Sequence, residues 1–394
     1  MKKINYIISA FFIALLVNCT GNDNEVLNES NIAHENLNTY KGILVNNRLN
    51  APIIDSDNKT LARKESAKTI NLEDFSLDQI AKAVEEELAK FPYIKEGDNV
   101  TEKVELLRKD FPTLSDEDIQ KNINVIEEYY HQSLDYLVYK KLSDQARESS
   151  KITKNDYGSA QVDCIDNKGV FRSYGGSFGS RAMALAAFYQ AGQAKNIAAA
   201  EYPSLASADT KHDAYRHILW SALLCRYYYT VSSKAPKLSY AKTVTDAWEE
   251  CGNNEKDAMY MDYHNNEIGR RVYDRNTPYE KFLGFVVGLK TPSVDLLKQK
   301  TKEEVEKAFY VTGTTQERAD KIRTKTYNCV TKYHRRSRYI CDDNFDSGFL
   351  PNPTISDFDD RETRIVEPDG PECWETYYEA YQSCDGTLAV YISQ

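Results

Sequence analysis

The sequence predicts an all-α protein: a helical bundle with a polar interhelical core, preceded by a helical hairpin and followed by a loop-rich tail that carries disulfides. Three observations lead there. Apolar residues recur at spacings of three and four over much of 71–310, the period of a helix with one buried face. Two of those runs carry matching polar stripes, and polar residues on a helix that is otherwise apolar all round are buried with it. Beyond about residue 340 the period gives way to Pro, Asp and Gly with cysteines between them, a loop composition.

Taken from the start of the chain, Met1-Lys2-Lys3 is a positive segment, and Tyr6 to Val17 an apolar run too short to span a bilayer. Leu16-Val17-Asn18-Cys19 then resembles a bacterial lipoprotein signal. That resemblance makes residues 1–19 a signal peptide and Cys19 an acylated residue that holds the chain in the cell envelope, with the outer membrane as the expected destination. An ordinary secretory signal is the alternative, and either one takes the mature chain out of the cytoplasm. Residues 20–70, rich in Asn, Asp, Ser and Lys, read as a mobile tether. The net charge of -10 argues against a nucleic-acid partner, since phosphate binding needs a basic surface. No cofactor is expected.

Residues 71–150 form the N-terminal helical region. Ser76-Leu77-Asp78-Gln79 opens a helix through Ile80, Val84 and Leu88. Ser115 and Asp118 cap a second, long one through Ile119, Ile123, Ile126, Tyr130, Leu134 and Leu137. A central all-α domain follows over 160–310. Gly169, Gly175, Gly176 and Gly179 lack the Gly-Lys-Ser/Thr of a phosphate-binding loop. They read as a turn before one alanine-rich helix from Ser180 to Ala200. The region 311–394 is a last helix, from about Gln316 to Tyr333, and a loop-rich tail. Lys332, His334, Arg335, Arg336 and Arg338 make the end of that helix basic, a solvated end rather than an anion site.

Eight cysteines leave seven once Cys19 is set aside, an odd number. Local spacing favours Cys329 with Cys341 and Cys373 with Cys384. Cys225 and Cys251 can pair within the central domain, which leaves Cys164 over. No Cys-x-x-Cys spacing offers a zinc-thiolate site.

The chemistry concentrates in 211-KHDAYRHILWSALLC-225. On a helical wheel Asp213, Arg216, His217 and Trp220 share one side, while His212 lies about 140° from His217. In 261-MDYHNNEIGR-270, Asp262, Asn265, Asn266 and Gly269 repeat the offsets zero, three, four and seven. A glycine inside a helix costs about 1 kcal/mol against alanine, so Gly269 marks a close approach or a bend. Between the two runs a third helix, Thr243 to Cys251, supplies Asp246, Glu249 and Glu250 and stops at Gly252-Asn253-Asn254.

These motifs, Asp213-Ala214-Tyr215-Arg216-His217 with Trp220 and Met261-Asp262 with Asn265-Asn266 and Gly269-Arg270, resemble a small bacterial family, the domain of unknown function 6973. The resemblance covers about 209–275. It implies an all-helical domain of secreted and surface proteins and brings no established activity.

Two functional readings follow from the residues. In a hydrolase of lipid, phosphoester or cell-wall substrates, His217 is the general base, oriented by Asp213 or Asp262. Arg216 and the Asn265 and Asn266 amides then stabilise an oxyanion or phosphate, with Trp220 and Glu249 lining the site. In a non-catalytic module, the same residues lock helices together and Thr210-x-x-Asp213 is a helix cap. No metal is assigned, although His217, Asp262 and Glu249 form a conceivable oxygen-imidazole set. Exposure of His217 separates the readings: a hydrolase needs its ring nitrogens in a solvent-accessible pocket.

Overall fold

A computed structural model describes residues 37–53, 70–148, 164–165, 168–173, 178–339, 356–358, 374–384 and 386–394. The expected signal peptide with Cys19, and Cys341 and Cys373, lie outside the described residues.

The chain is mostly helical and its centre is α8 (Lys211–Tyr227), buried from His212 to Cys225 except at Arg216. Helices α6 (Phe178–Ala191), α7 (Ala194–Glu201), α9 (Ala235–Cys251), α10 (Lys256–Arg275) and α11 (Val294–Glu306) all pack on it. Its near-complete apolar surface explains this: an α-helix that presents Ala, Ile, Leu and Trp in every direction reaches low energy only when covered on every side.

The N-terminal region joins the same core. Helix α1 (Leu77–Leu88) starts at Ser76 and Gln79, which cap each other's backbone reciprocally, and buries Ile80 and Val84. The long helix expected from Ser115 is instead two, α3 (Asp116–Lys121) and α4 (Ile123–Glu148). Asn122 interrupts it by donating its side-chain amide to Asp118 O, the local competition with the helix ladder that makes Asn a poor interior residue. Helix α2 (Val100–Asp110) precedes them, so the region holds more than a hairpin, and α1, α4 and α6 pack together. The alanine-rich run is likewise divided, into α6 and α7 around Gly192. A short α5 (Val170–Ser173) precedes them.

Several small sheets make the protein less than purely all-α. Within the expected tether, β1 (Leu37–Tyr40) and β2 (Ile43–Asn46) form a hairpin. Its turn residues, Lys41 and Gly42, both have positive φ, and Tyr40, Ile43 and Val45 enter the main core. Residues 37–53 are therefore folded, because alternating apolar side chains give even a polar-rich segment a face to bury. A second hairpin pairs β3 (Tyr279–Phe282) with β4 (Phe285–Leu289).

The tail departs furthest from expectation. The last helix, α12 (Thr315–Thr324), ends at Lys325 in the left-handed conformation. From Cys329 the chain is a strand, β6 (Cys329–Tyr339), antiparallel to β8 (Trp374–Cys384), with β7 (Ser356–Phe358) along its other edge. Val330, Thr331 and Tyr333 are β-branched or aromatic and favour the pleated form. The basic cluster from Lys332 to Arg338 thus sits on a strand and not at a helix end. A short parallel pair, β5 (Phe309–Tyr310) with β9 (Val390–Tyr391), returns the chain to the helices.

The cysteine pairing is Cys164–Cys251 and Cys329–Cys384, with Cys225 free and buried. Neither Cys329–Cys341, Cys373–Cys384 nor Cys225–Cys251 forms, and Cys164 is not the odd residue. Local spacing misled because the partners are 87 and 55 positions apart: strand register sets Cys329 opposite Cys384, while the wheel turns Cys225 into the core. Among the described residues no helix is long and apolar enough to cross a membrane.

Candidate functional site

Helices α8 and α10 meet at Gly269. A Cβ there would stand 2.2 Å from the carbonyl oxygen of Ile218 and 2.9 Å from Ser221 Cβ, so only glycine lets the two backbones come this close. That approach brings the two polar stripes into one cluster: Asp213, Arg216 and His217 from α8, Asp262 and Asn266 from α10, and Glu249 from α9. Glu250, the other acidic candidate, instead pairs with Lys168 at the surface.

His217 is 1% exposed. Its Nε2 lies 3.1 Å from Asp262 Oδ1 and 3.5 Å from Asp213 Oδ1, and accepts an N–H from Arg216 at 2.7 Å. The same guanidinium donates to Asp213 Oδ1. On the far side of the ring, Nδ1 faces Glu249 Oε1 at 3.4 Å. Each carboxylate is also tied from behind. Asp213 Oδ2 accepts the backbone N–H of Asp209 at 2.8 Å, Asp262 Oδ2 accepts from the Asn254 side chain at 3.2 Å, and Glu249 Oε1 accepts from Asn266 at 3.2 Å.

Three carboxylates thus face one guanidinium in a buried centre. Burial drives the His217 imidazole down to about 3, assisted by the Arg216 charge. Burial also pushes Glu249 up to about 7 and raises Asp262, where the Glu249 charge adds to the effect. Several polar atoms of the cluster nevertheless lack a well-formed hydrogen bond, His217 Nδ1, Asp262 Oδ1 and Asn266 Oδ1, with Ser221 Oγ on the same helix as His217, while Asn266 acts on the His217 ring and Glu249 on Asp262. A buried polar atom left unsatisfied costs about 1–3 kcal/mol, so these atoms are the open positions of the network.

Other expected members lie elsewhere. Asn265 clamps β9, donating to Val390 O at 2.9 Å and accepting from Val390 N at 3.0 Å. Both the nitrogen and the oxygen of its side-chain amide are engaged in that clamp. Trp220 packs edge-on to Trp248 and Phe188, with the His217 ring 6.4 Å away between centroids. His264 hydrogen-bonds Leu388 O and Tyr327, off the cluster as the wheel requires. Thr210 is the N-cap of α8 as expected, accepting from His212 N, while Asp213 reaches back to Asp209 N rather than to Thr210 N. Asn254 and Asp209 were missed. Asn254 reads as part of a helix stop, and a backbone donor leaves no sequence signal.

The Asn265 clamp carries an expected result. Asn265→Ala should lower stability by about 2–3 kcal/mol, since it orphans two buried backbone groups of Val390. Limited proteolysis should then cut within 386–394 first. An unchanged cleavage pattern would show that the clamp does not hold β9.

Residues 178–323 match the family model described as domain of unknown function (DUF6973), a span that holds every residue of the cluster and extends beyond the 209–275 resemblance. No curated protein matches the chain.

Proposed function

Since the cluster lies inside a domain of unassigned activity, we propose that the protein is a lipid-anchored envelope protein whose helical domain is a binding module built round a polar centre. A hydrolase using His217 as its general base is the alternative. One observation carries the choice: His217 is enclosed by α8, α9 and α10, and its Nε2 lone pair is already taken by Arg216. A general base needs a free lone pair within reach of the substrate proton. The open hydrogen-bonding capacity around the ring supports binding over mere packing.

Anchoring and activity are tested separately. The Cys19→Ala protein should lose incorporated palmitate and move from the membrane fraction to the soluble one. Retention in the membrane would remove the anchor. On the mature chain, phosphoesters, phospholipids and peptidoglycan should show no turnover, and His217→Ala should lower the unfolding temperature. Turnover that His217→Ala abolishes while the fold persists would overturn the binding reading in favour of the hydrolase.

A further inference from the structure

The acceptor atoms gathered round Arg216 in this centre have a definite geometry. A cation about 2.1 Å from its ligands sets neighbouring ligands about 3.0 Å apart in an octahedron and about 3.4 Å apart in a tetrahedron. His217 Nε2 stands 3.1 Å from Asp262 Oδ1 and 3.5 Å from Asp213 Oδ1, and one ligand atom from each of the three residues lies within 4.8 Å of the others. Asp262 is buried, and its Oδ1 has no hydrogen-bond partner while it points at the ring.

We propose that Asp213, His217 and Asp262 bind a first-row divalent transition cation through His217 Nε2 and one oxygen of each aspartate. This rests on reading the centre as a binding site and names its ligand. One imidazole and two carboxylates suit such an ion, being harder than the thiolate sets of structural zinc and softer than the all-oxygen sets of calcium. The outer contacts match as well. Metal-bound histidines turn their other ring nitrogen to a carboxylate, and metal-bound carboxylates are themselves hydrogen-bonded. Here Glu249 stands behind Nδ1, Asn254 holds the far oxygen of Asp262, and the Asp209 backbone holds that of Asp213. Glu249 is accordingly an orienting group, and Asp213 takes the inner place.

Arg216 is the stand-in. Its guanidinium sits on Asp213 Oδ1 and His217 Nε2, two of the three ligand atoms, and its side chain is 30% exposed. A cation entering the centre displaces that head group towards solvent, and the two positive charges compete for one place.

The competition makes the test specific. The mature protein is stripped with chelator and titrated calorimetrically with Mn2+ and with Zn2+, alongside Asp262→Asn and Arg216→Ala, each checked for cooperative unfolding. The expected result is one ion per chain in the wild type and an affinity reduced about 10- to 100-fold or more in Asp262→Asn. Binding in Arg216→Ala should be tighter. A purely structural network predicts the opposite for Arg216→Ala, which would only lose stability. If neither the wild type nor folded Arg216→Ala binds either ion, the cation is overturned while the absence of turnover still stands for a binding module. Undiminished binding in folded Asp262→Asn, with Arg216→Ala no tighter, overturns the location.

Discussion

Replacing Gly269 with alanine is expected to destabilise the protein by more than about 3 kcal/mol, against the intrinsic preference of about 1 kcal/mol by which alanine favours a helix interior. The added methyl group would meet the Ile218 carbonyl oxygen at 2.2 Å and Ser221 Cβ at 2.9 Å. The first of these is backbone inside a buried helix and has no rotamer to escape through. Helices α8 and α10 must therefore separate, which opens the distances around His217 as well. Urea denaturation of wild type and variant measures the effect directly from the shift in midpoint at constant slope. A stabilised Gly269→Ala protein would mean that the helices are not in contact at this point.

The second large effect is set by Lys237, in the first turn of α9 and 0% exposed. Its ammonium donates to the Tyr228 carbonyl oxygen and lies 5.9 Å from the Tyr93 ring. Cys225 and Arg226 of α8 and Glu127 of α4 are the titratable and charged groups that act on it. Burial outweighs them and holds the amine down at about 7, from an ordinary value of 10.5. The unfolded chain therefore binds the extra proton between about pH 7 and 10.5. Stability from this group rises with pH through that window, and below pH 7 the cost is fully present. At about 1.4 kcal/mol per unit, the whole window amounts to several kcal/mol.

Lys237→Met removes that dependence. It also leaves the Tyr228 carbonyl without its donor, a loss of about 1–3 kcal/mol. The variant should thus be more stable than the wild type at pH 7 by about 1–3 kcal/mol, with the advantage shrinking steadily towards pH 10. Taking the difference between the two proteins cancels the tyrosines, several of which are raised by burial and titrate at the alkaline end. A difference that does not vary with pH would show that Lys237 keeps an ordinary amine.

The helical core was readable in the sequence because its signals are local. A stripe of Asp213, Arg216, His217 and Trp220 on an apolar run, and a glycine at the matching offset, follow from 3.6-residue periodicity alone. The period gives only a side of the helix, though. It placed Asn265 and Asn266 together, whereas the structure turns one to the cluster and the other to a strand 125 positions away. Cys329 meets Cys384, and β5 meets β9, through strand pairing whose partners no window of sequence contains. The β1–β2 hairpin was hidden by composition: buried Tyr40, Ile43 and Val45 with half-buried Leu37 and Leu44 suffice for a hairpin that leans on a helical core, too few to alter the polar average around them.

The Asn265 clamp bears on how the protein comes to be folded. The Asn265 side chain and the Asp209 carbonyl take their partners from residues 388–393, more than a hundred positions later in the chain, and His264 adds a hydrogen bond to Leu388 O beside the one to Tyr327. Met261 of the same helix shares a small apolar cluster with Val390 and Ile392. Closing such a loop is slow compared with helix formation. The helices can therefore be present in their final secondary structure while α10 still lacks its mate. Its completion is expected to be a late step, governed by the search of a distant segment for one bidentate asparagine.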